Sequence, residues 1–192
     1  MSHFSAIRNL HKLVASLMVA ALFAAAFFTT TPSASAADGT VTLSGGTLTI
    51  TAPENFAFTA VTLDGLSDKP TTGVFTVGVN DPTGSNAGWR LTATMGVLTH
   101  SVNVAKTLPA TTIASSAAVA VTDTTGATAA TNSAVYPYTF SATNTLPFYN
   151  AAADTGQGSH SYAVTTSQVV PKNSLAGTYT ATLTVTLSSG PA

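Results

Sequence analysis

The chain has 192 residues, with six Lys or Arg against seven Asp or Glu and no cysteine. Charged residues make up only 7% of it, too few for the clustered cations that a nucleic-acid binder or a polybasic membrane-surface patch needs. Without cysteine the fold cannot rest on disulfides, so its stability must come from a packed core.

The first twelve residues carry Arg8 and Lys12 and no acid, and residues 13–28 form an uncharged apolar run of 16. Ala34 and Ala36 then stand in an A-x-A arrangement. This order of basic start, apolar run and small residues predicts a secretory signal peptide over 1–36, cleaved before Ala37. The run is shorter than the roughly 20 residues of a membrane span. The exported part, 37–192, is about one domain long and is expected to have no membrane attachment of its own after cleavage.

Threonine alternation dominates that part. Residues 40–51, TVTLSGGTLTIT, predict two short strands around Gly45-Gly46. Phe56 and Phe58 open a further alternating run through Leu63. Phe75, Val77 and Val79 share one face, and so do Trp89, Leu91, Ala93 and Met95. Tyr138 and Phe140, then Tyr162 and Val164, repeat the pattern. In the closing run TYTATLTVTLS, Tyr179, Ala181, Leu183, Val185 and Leu187 fall on one face and threonines on the other. A β-branched polar residue suits the wet face of such a strand. Turn-forming clusters such as NDPTGSNAG and YNAAADTGQGSH separate the runs. The only helix candidate is ASSAAVA at 114–120. Residues 98–136 are Ala- and Thr-rich and weakly patterned, and are expected to form a loop-rich insertion with extended pieces. The fold class is all-β: one sandwich or open barrel of short antiparallel strands.

Little in the chain looks catalytic. His100 and His160 are the only histidines after the signal segment, and no G-x-S-x-G elbow accompanies them. His160, between Ser159 and Ser161, reads as a solvated loop histidine. Glu54 is the only Glu, and no second carboxylate pairs with it as glycoside hydrolysis requires. Asp64 and Asp68 fit an Asx turn better than a calcium loop. No catalytic residue, cofactor or metal ligand set is therefore expected, and the protein is not expected to be an enzyme. The string LPATT at Leu108 is internal and lacks the Gly of a sortase motif, so covalent wall anchoring is not expected from it.

The single tryptophan lies in GWRLT, where Trp89-Arg90-Leu91 spells W-x-L after the Asp81- and Gly-bearing loop. With LTITAPENFAFTAVTLDG before it and LAGTYTATLTVTLSSGP after it, the chain resembles the WxL domain family of bacterial cell-surface proteins. The family's second motif would fall at Val185-Thr186-Leu187, where the tryptophan is replaced by valine, so the chain resembles a divergent member. The resemblance implies a secreted surface protein held non-covalently on the bacterial cell wall, with peptidoglycan as the surface. It marks Trp89, Arg90, Leu91, Asp81, Tyr179 and Leu187 as candidate binding or motif residues. Its partners would be a wall glycan or other surface proteins. Two placements of the indole stay open, a core plug aligned with Leu91 and Ala93 or an exposed sugar platform. The alternative function is a structural surface-assembly subunit, pilin-like or surface-layer, acting through addition of its Thr-rich terminal strand to a neighbour's sheet.

Overall fold

The computed structural model describes residues 40–190. The expected signal segment and its expected cleavage site lie outside the described residues. Eleven strands follow in chain order: β1 (Thr49–Thr51), β2 (Lys69–Asp81), β3 (Trp89–Met95), β4 (Thr99–His100), β5 (Thr112–Ile113), β6 (Val119–Asp123), β7 (Tyr138–Thr139), β8 (Pro147–Ala151), β9 (Gly158–Val170), β10 (Tyr179–Thr180) and β11 (Leu183–Ser189). One 3-10 turn, Ser116–Ala118, interrupts them. Every pairing is antiparallel, and the fold is an all-β sandwich.

The first sheet runs β1-β2-β9-β5-β7, with β6 also paired to β9. Its spine is β2 against β9, in register from Lys69 opposite Val170 to Asp81 opposite Gly158. The second sheet is β11-β3-β8, and β4 with β10 forms a separate two-stranded ribbon. Period-two alternation decides which side chains meet between the sheets. Phe75, Val77 and Val79 of β2 and Tyr162 and Val164 of β9 turn inward against Leu91, Ala93 and Met95 of β3. Outward-facing threonines such as Thr72, Thr76 and Thr165 supply the polar surface in place of charges.

The register of β3 on β8 slips between Leu91 and Thr92, so Thr92 pairs with Pro147 and Phe148 is the extra residue. Such a bulge breaks strict alternation. Consecutive aromatics Phe148 and Tyr149 are both buried as a result. Phe148 meets Phe75 edge-on at 6.2 Å, and Tyr149 meets Tyr162 at 4.6 Å.

Three expectations change. Residues 40–51 give one strand, not two: only β1 forms. Gly45 and Gly46 serve close approach rather than a hairpin turn. A Cβ at Gly45 would lie 1.8 Å from the Thr83 carbonyl oxygen, and the Gly46 N–H donates to the Pro82 carbonyl at 2.8 Å. The 56–63 run forms no strand either. It lies along the edge of β2 through a single bridge, Phe58 to Gly73, because the Phe56 ring packs over Gly73 and the Thr71 hydroxyl replaces a ladder bond by donating to the Thr59 carbonyl at 2.6 Å. The helix candidate at 114–120 shrinks to the 3-10 turn, and Val119 already enters β6, as its β-branched neighbours favour. The weakly patterned 98–136 segment contains β4, β5 and β6, and the last two pair with β9.

Candidate functional site

The Asp81 and Trp89 candidates come together at one end of the sandwich. Asp81 ends β2, 4% exposed, and its Oδ1 accepts from the Thr83 N–H at 3.1 Å and the Thr83 hydroxyl at 2.7 Å. The Thr83 and Ser85 hydroxyls lie 2.9 Å apart, and the Ser85 hydroxyl accepts from the Ala87 N–H at 3.3 Å. Short hydroxyl side chains thus bond the turn from within, as Asx and Ser/Thr turns do. Asn86 ties this turn to the loop after β8: its carbonyl accepts from the Asp154 N–H at 2.9 Å and its Oδ1 from the Gln157 amide at 3.1 Å.

Trp89 lies beneath these loops with no solvent exposure. Its indole stacks on Tyr149 at 6.2 Å, meets the Tyr162 ring edge-on at 5.7 Å, and donates its N–H to the Gly156 carbonyl at 3.0 Å. The indole is a core side chain with its one polar atom satisfied, and no face is free for a sugar. Leu91 is equally buried, while Arg90 points to the opposite face of β3 and is partly exposed. The two motif triplets sit on paired strands. Leu187 lies opposite Leu91, and Val185 opposite Ala93, with both β11 side chains half-buried.

His160 is not a solvated loop residue. It lies on β9, 3% exposed, with its Nδ1 2.7 Å from Asp123 Oδ1. The glycines and serines around it suggested a loop, but β2 and β6 pair with this stretch on both sides. Its Nε2 has no partner among the described residues, nor does the neighbouring Tyr162 hydroxyl. Ser159 and Ser161 alternate to the other face of the strand, and the Ser159 hydroxyl donates to Asn80 at 2.8 Å, so the Asp–His pair has neither serine on its free nitrogen. Burial pushes the Tyr162 phenol far above its usual range, with Tyr149 and Asp123 adding to the effect. Burial also raises the phenols of Tyr136, Tyr138 and Tyr149.

Asp64 forms the expected Asx turn, accepting from the Leu66 N–H at 2.9 Å and the Ser67 N–H at 3.1 Å. The Lys69 ammonium beside it and these two N–H groups hold its carboxyl well below the usual range. Asp68 does something different: it accepts from the Lys172 N–H at 2.9 Å and ties two distant loops together.

A half-open groove of about 1040 Å³ lies at the other end of the sandwich. Its floor includes Met95, Leu98, Leu108 and Gln168. One wall is the 55–63 run and the other is 174–181, including Tyr179. Trp89 and Met95 are the two ends of β3, roughly 20 Å apart at about 3.3 Å per residue, so the W-x-L motif and the groove are well separated. Of the six candidate residues only Tyr179 lines the groove.

The walls are fixed by specific bonds. Gln168 is buried, accepting from the Thr111 hydroxyl at 2.7 Å and donating to the carbonyls of Pro109 at 3.0 Å and Val169 at 2.8 Å. His100 clasps the second wall. Its Nδ1 accepts from the Val102 and Asn103 N–H groups at 3.1 and 3.0 Å, which leaves Nε2 to donate to the Ala176 carbonyl at 3.2 Å. Gly177, at φ +147, lets this happen, since a Cβ there would stand 2.2 Å from Nε2. Tyr179 packs edge-on against His100 at 5.0 Å, and its hydroxyl donates to the Leu175 carbonyl at 2.9 Å.

Among the described residues no acidic or basic side chain lines the groove. Half-buried Phe56, Phe58 and Tyr179 offer apolar ring surface, and hydroxyls at Thr62, Ser174 and Thr178 edge it. Sequence reasoning missed the groove because its residues are scattered from Phe56 to Ala181. The available signal was Phe56 and Phe58 in a run with no charge between Glu54 and Asp64.

Among the described residues no helix is long and apolar enough to cross a membrane. The all-β sandwich thus carries a braced loop cap at one end and an uncharged groove at the other. Residues 32–191 match the family described as WxL domain, surface cell wall-binding, and the chain belongs to that family. It is accordingly a surface protein associated with the cell wall. No curated protein matches the chain.

Proposed function

We propose that this protein is a secreted, non-catalytic module that holds peptidoglycan in the groove between the 55–63 and 174–181 walls. The observation that carries the reading is the groove's lining: aromatic rings, hydroxyls and amides, with no charge. Pyranose rings present apolar faces ringed by hydroxyl and acetamido groups, and such a lining suits both. An anionic wall polymer would instead call for cations, as phosphate contacts do. The Trp89 end supports the reading indirectly, as a packed cap that fixes the sandwich. Family membership supports the wall as the surface.

Purified peptidoglycan is the test ligand. Losing one stacked ring costs on the order of 1 kcal/mol, about a fivefold loss of affinity. Tyr179→Ala and Phe58→Ala should each weaken sedimentation with peptidoglycan by about that factor. Tyr179→Phe keeps the ring and should bind nearly as the parent does, provided the wall stays in place without the bond to Leu175. Unchanged binding by both alanine variants, with unchanged melting, would remove the groove from consideration.

A further inference from the structure

The first described residues and the last strand share one pattern and neither is paired to capacity. Residues 40–44 read Thr-Val-Thr-Leu-Ser and belong to no strand. Val41 is 83% exposed and Leu43 is 88% exposed, the spacing of a strand's apolar face with no described residue packed over it. Two residues further on, the chain is fastened where Gly46 bonds to Pro82.

β11 borders the second sheet, with β3 as its one strand partner. The ladder phase shows which of its backbone groups are free. The Gly190 N–H donates to the Gly88 carbonyl at 2.9 Å, continuing the register in which Ser188, Thr186 and Thr184 face Arg90, Thr92 and Thr94. In an antiparallel ladder hydrogen-bonded pairs alternate with non-bonded ones. Thr184, Thr186 and Ser188 are then the residues bonded to β3, and the N–H and C=O groups of Leu183, Val185 and Leu187 point away from it. Their side chains face the core yet remain half-exposed. Exposed edges in native sheets are normally blunted by lysine, proline or a bulge. From 179 to 190 β11 and its approach carry no proline and no charged residue, and its pairing with β3 has no register shift.

We propose that residues 40–44 of one copy add as a strand to the free edge of β11 in a second copy. The added strand would satisfy the outward N–H and C=O groups of Leu183, Val185 and Leu187. It would also place Val41 and Leu43 beside their half-exposed side chains. Donor and acceptor are different surfaces, so the contact is heterologous and repeats head to tail. On a wall, such a chain multiplies weak attachments.

The test uses the secreted protein over a roughly hundredfold concentration series, because a self-association equilibrium shifts with protein concentration. Light scattering should show the mass rising to twice the monomer or more, while hydrogen exchange at Val185 and Leu187 slows in step. The double substitution Val41→Asp with Leu43→Asp should abolish both effects and leave the melting midpoint unchanged, since both side chains are solvent-exposed in the monomer. Three results overturn the proposal: a monomer at every concentration with unprotected β11 amides, oligomers that persist in the double variant, or β11 protection that is independent of concentration and marks pairing within one chain.

Discussion

The indole N–H of Trp89 donates to the backbone carbonyl of Gly156, 67 residues later in the chain, at 3.0 Å. This bond explains where the single tryptophan stands. The large ring fills the end of the sandwich between Tyr149 and Tyr162, and its one polar atom holds the loop that closes over it. Trp89→Ala should cost about 3–5 kcal/mol, the range for removing a large buried aromatic. That is a large part of a typical domain's stability of about 5–15 kcal/mol. Trp89→Phe keeps most of the ring but leaves the carbonyl without its donor, and should cost less. Chemical denaturation of both variants checks the order.

Gly156 gives the same relationship from the other side. Its φ is +76, and a Cβ there would meet the Ala151 Cβ at 2.5 Å and Trp89 Nε1 at 2.9 Å. Gly156→Ala therefore combines an unfavourable backbone conformation with a clash inside the core. The expected destabilisation is more than about 1 kcal/mol, the scale of the backbone effect alone. Gly84→Ala is the control: φ is +63 there, but no atom lies within 4 Å of the added Cβ, so only the backbone cost should appear in its melt.

How far the sequence spoke for itself depended on whether one face of a segment was buried. β2, β3 and β9 alternate cleanly because each presents one face to the core, so Phe75, Leu91 and Tyr162 were legible as inward-facing. The same rule misled at 40–51 and 56–63, where alternation exists without a complete ladder to accept it. β6 was obscured by the alanines before it, and His160 by the glycines and serines around it. Pairing order was not legible, since β6 reaches β9 across some forty residues and nothing local encodes that. The groove was hidden for the same reason: Phe58, Leu108, Gln168 and Tyr179 meet only once both sheets have formed. The W-x-L signature was easy to find, and yet it marks a packing device at the opposite end of the molecule.

The buried phenols set an alkaline limit. The folded Tyr136, Tyr138, Tyr149 and Tyr162 all resist ionisation more than a free phenol, whose pKa is 10.0, mainly because burial penalises the phenolate. Below about pH 10 both folded and unfolded phenols are neutral, and these groups add no pH dependence. Above it the unfolded chain ionises while the fold does not, so stability falls as pH rises. The melting midpoint should drop above about pH 10, and absorbance titration of the folded protein should show these phenols ionising at higher pH than a free phenol. Tyr162→Phe should make the drop shallower. Because the Tyr162 hydroxyl has no hydrogen-bond partner, the same variant should be neutral or stabilising at pH 7.

The uncharged groove makes a prediction about salt. Attraction between exposed charges is screened over about 10 Å at 0.1 M ionic strength, and a site built on such pairs loses affinity as salt rises. Ring faces and neutral hydroxyls have no such term. If peptidoglycan binds among Phe56, Phe58 and Tyr179, its affinity should change by less than about twofold between 0.05 and 0.5 M salt, and a salting-out anion such as sulfate should strengthen it slightly. The chain's other surfaces offer a contrast, since Lys69 at the start of β2, Arg90 on the outer face of β3, and Lys106 and Lys172 in loops are the cations among the described residues. Attachment through those would weaken steadily with salt and would survive Tyr179→Ala. Sedimentation of the parent protein, Tyr179→Ala and Arg90→Ala with purified peptidoglycan across that salt range separates the two. Flat binding lost in Tyr179→Ala and kept in Arg90→Ala places the polymer in the groove; a steep decline shared by the parent and Tyr179→Ala places it on the charged surface instead.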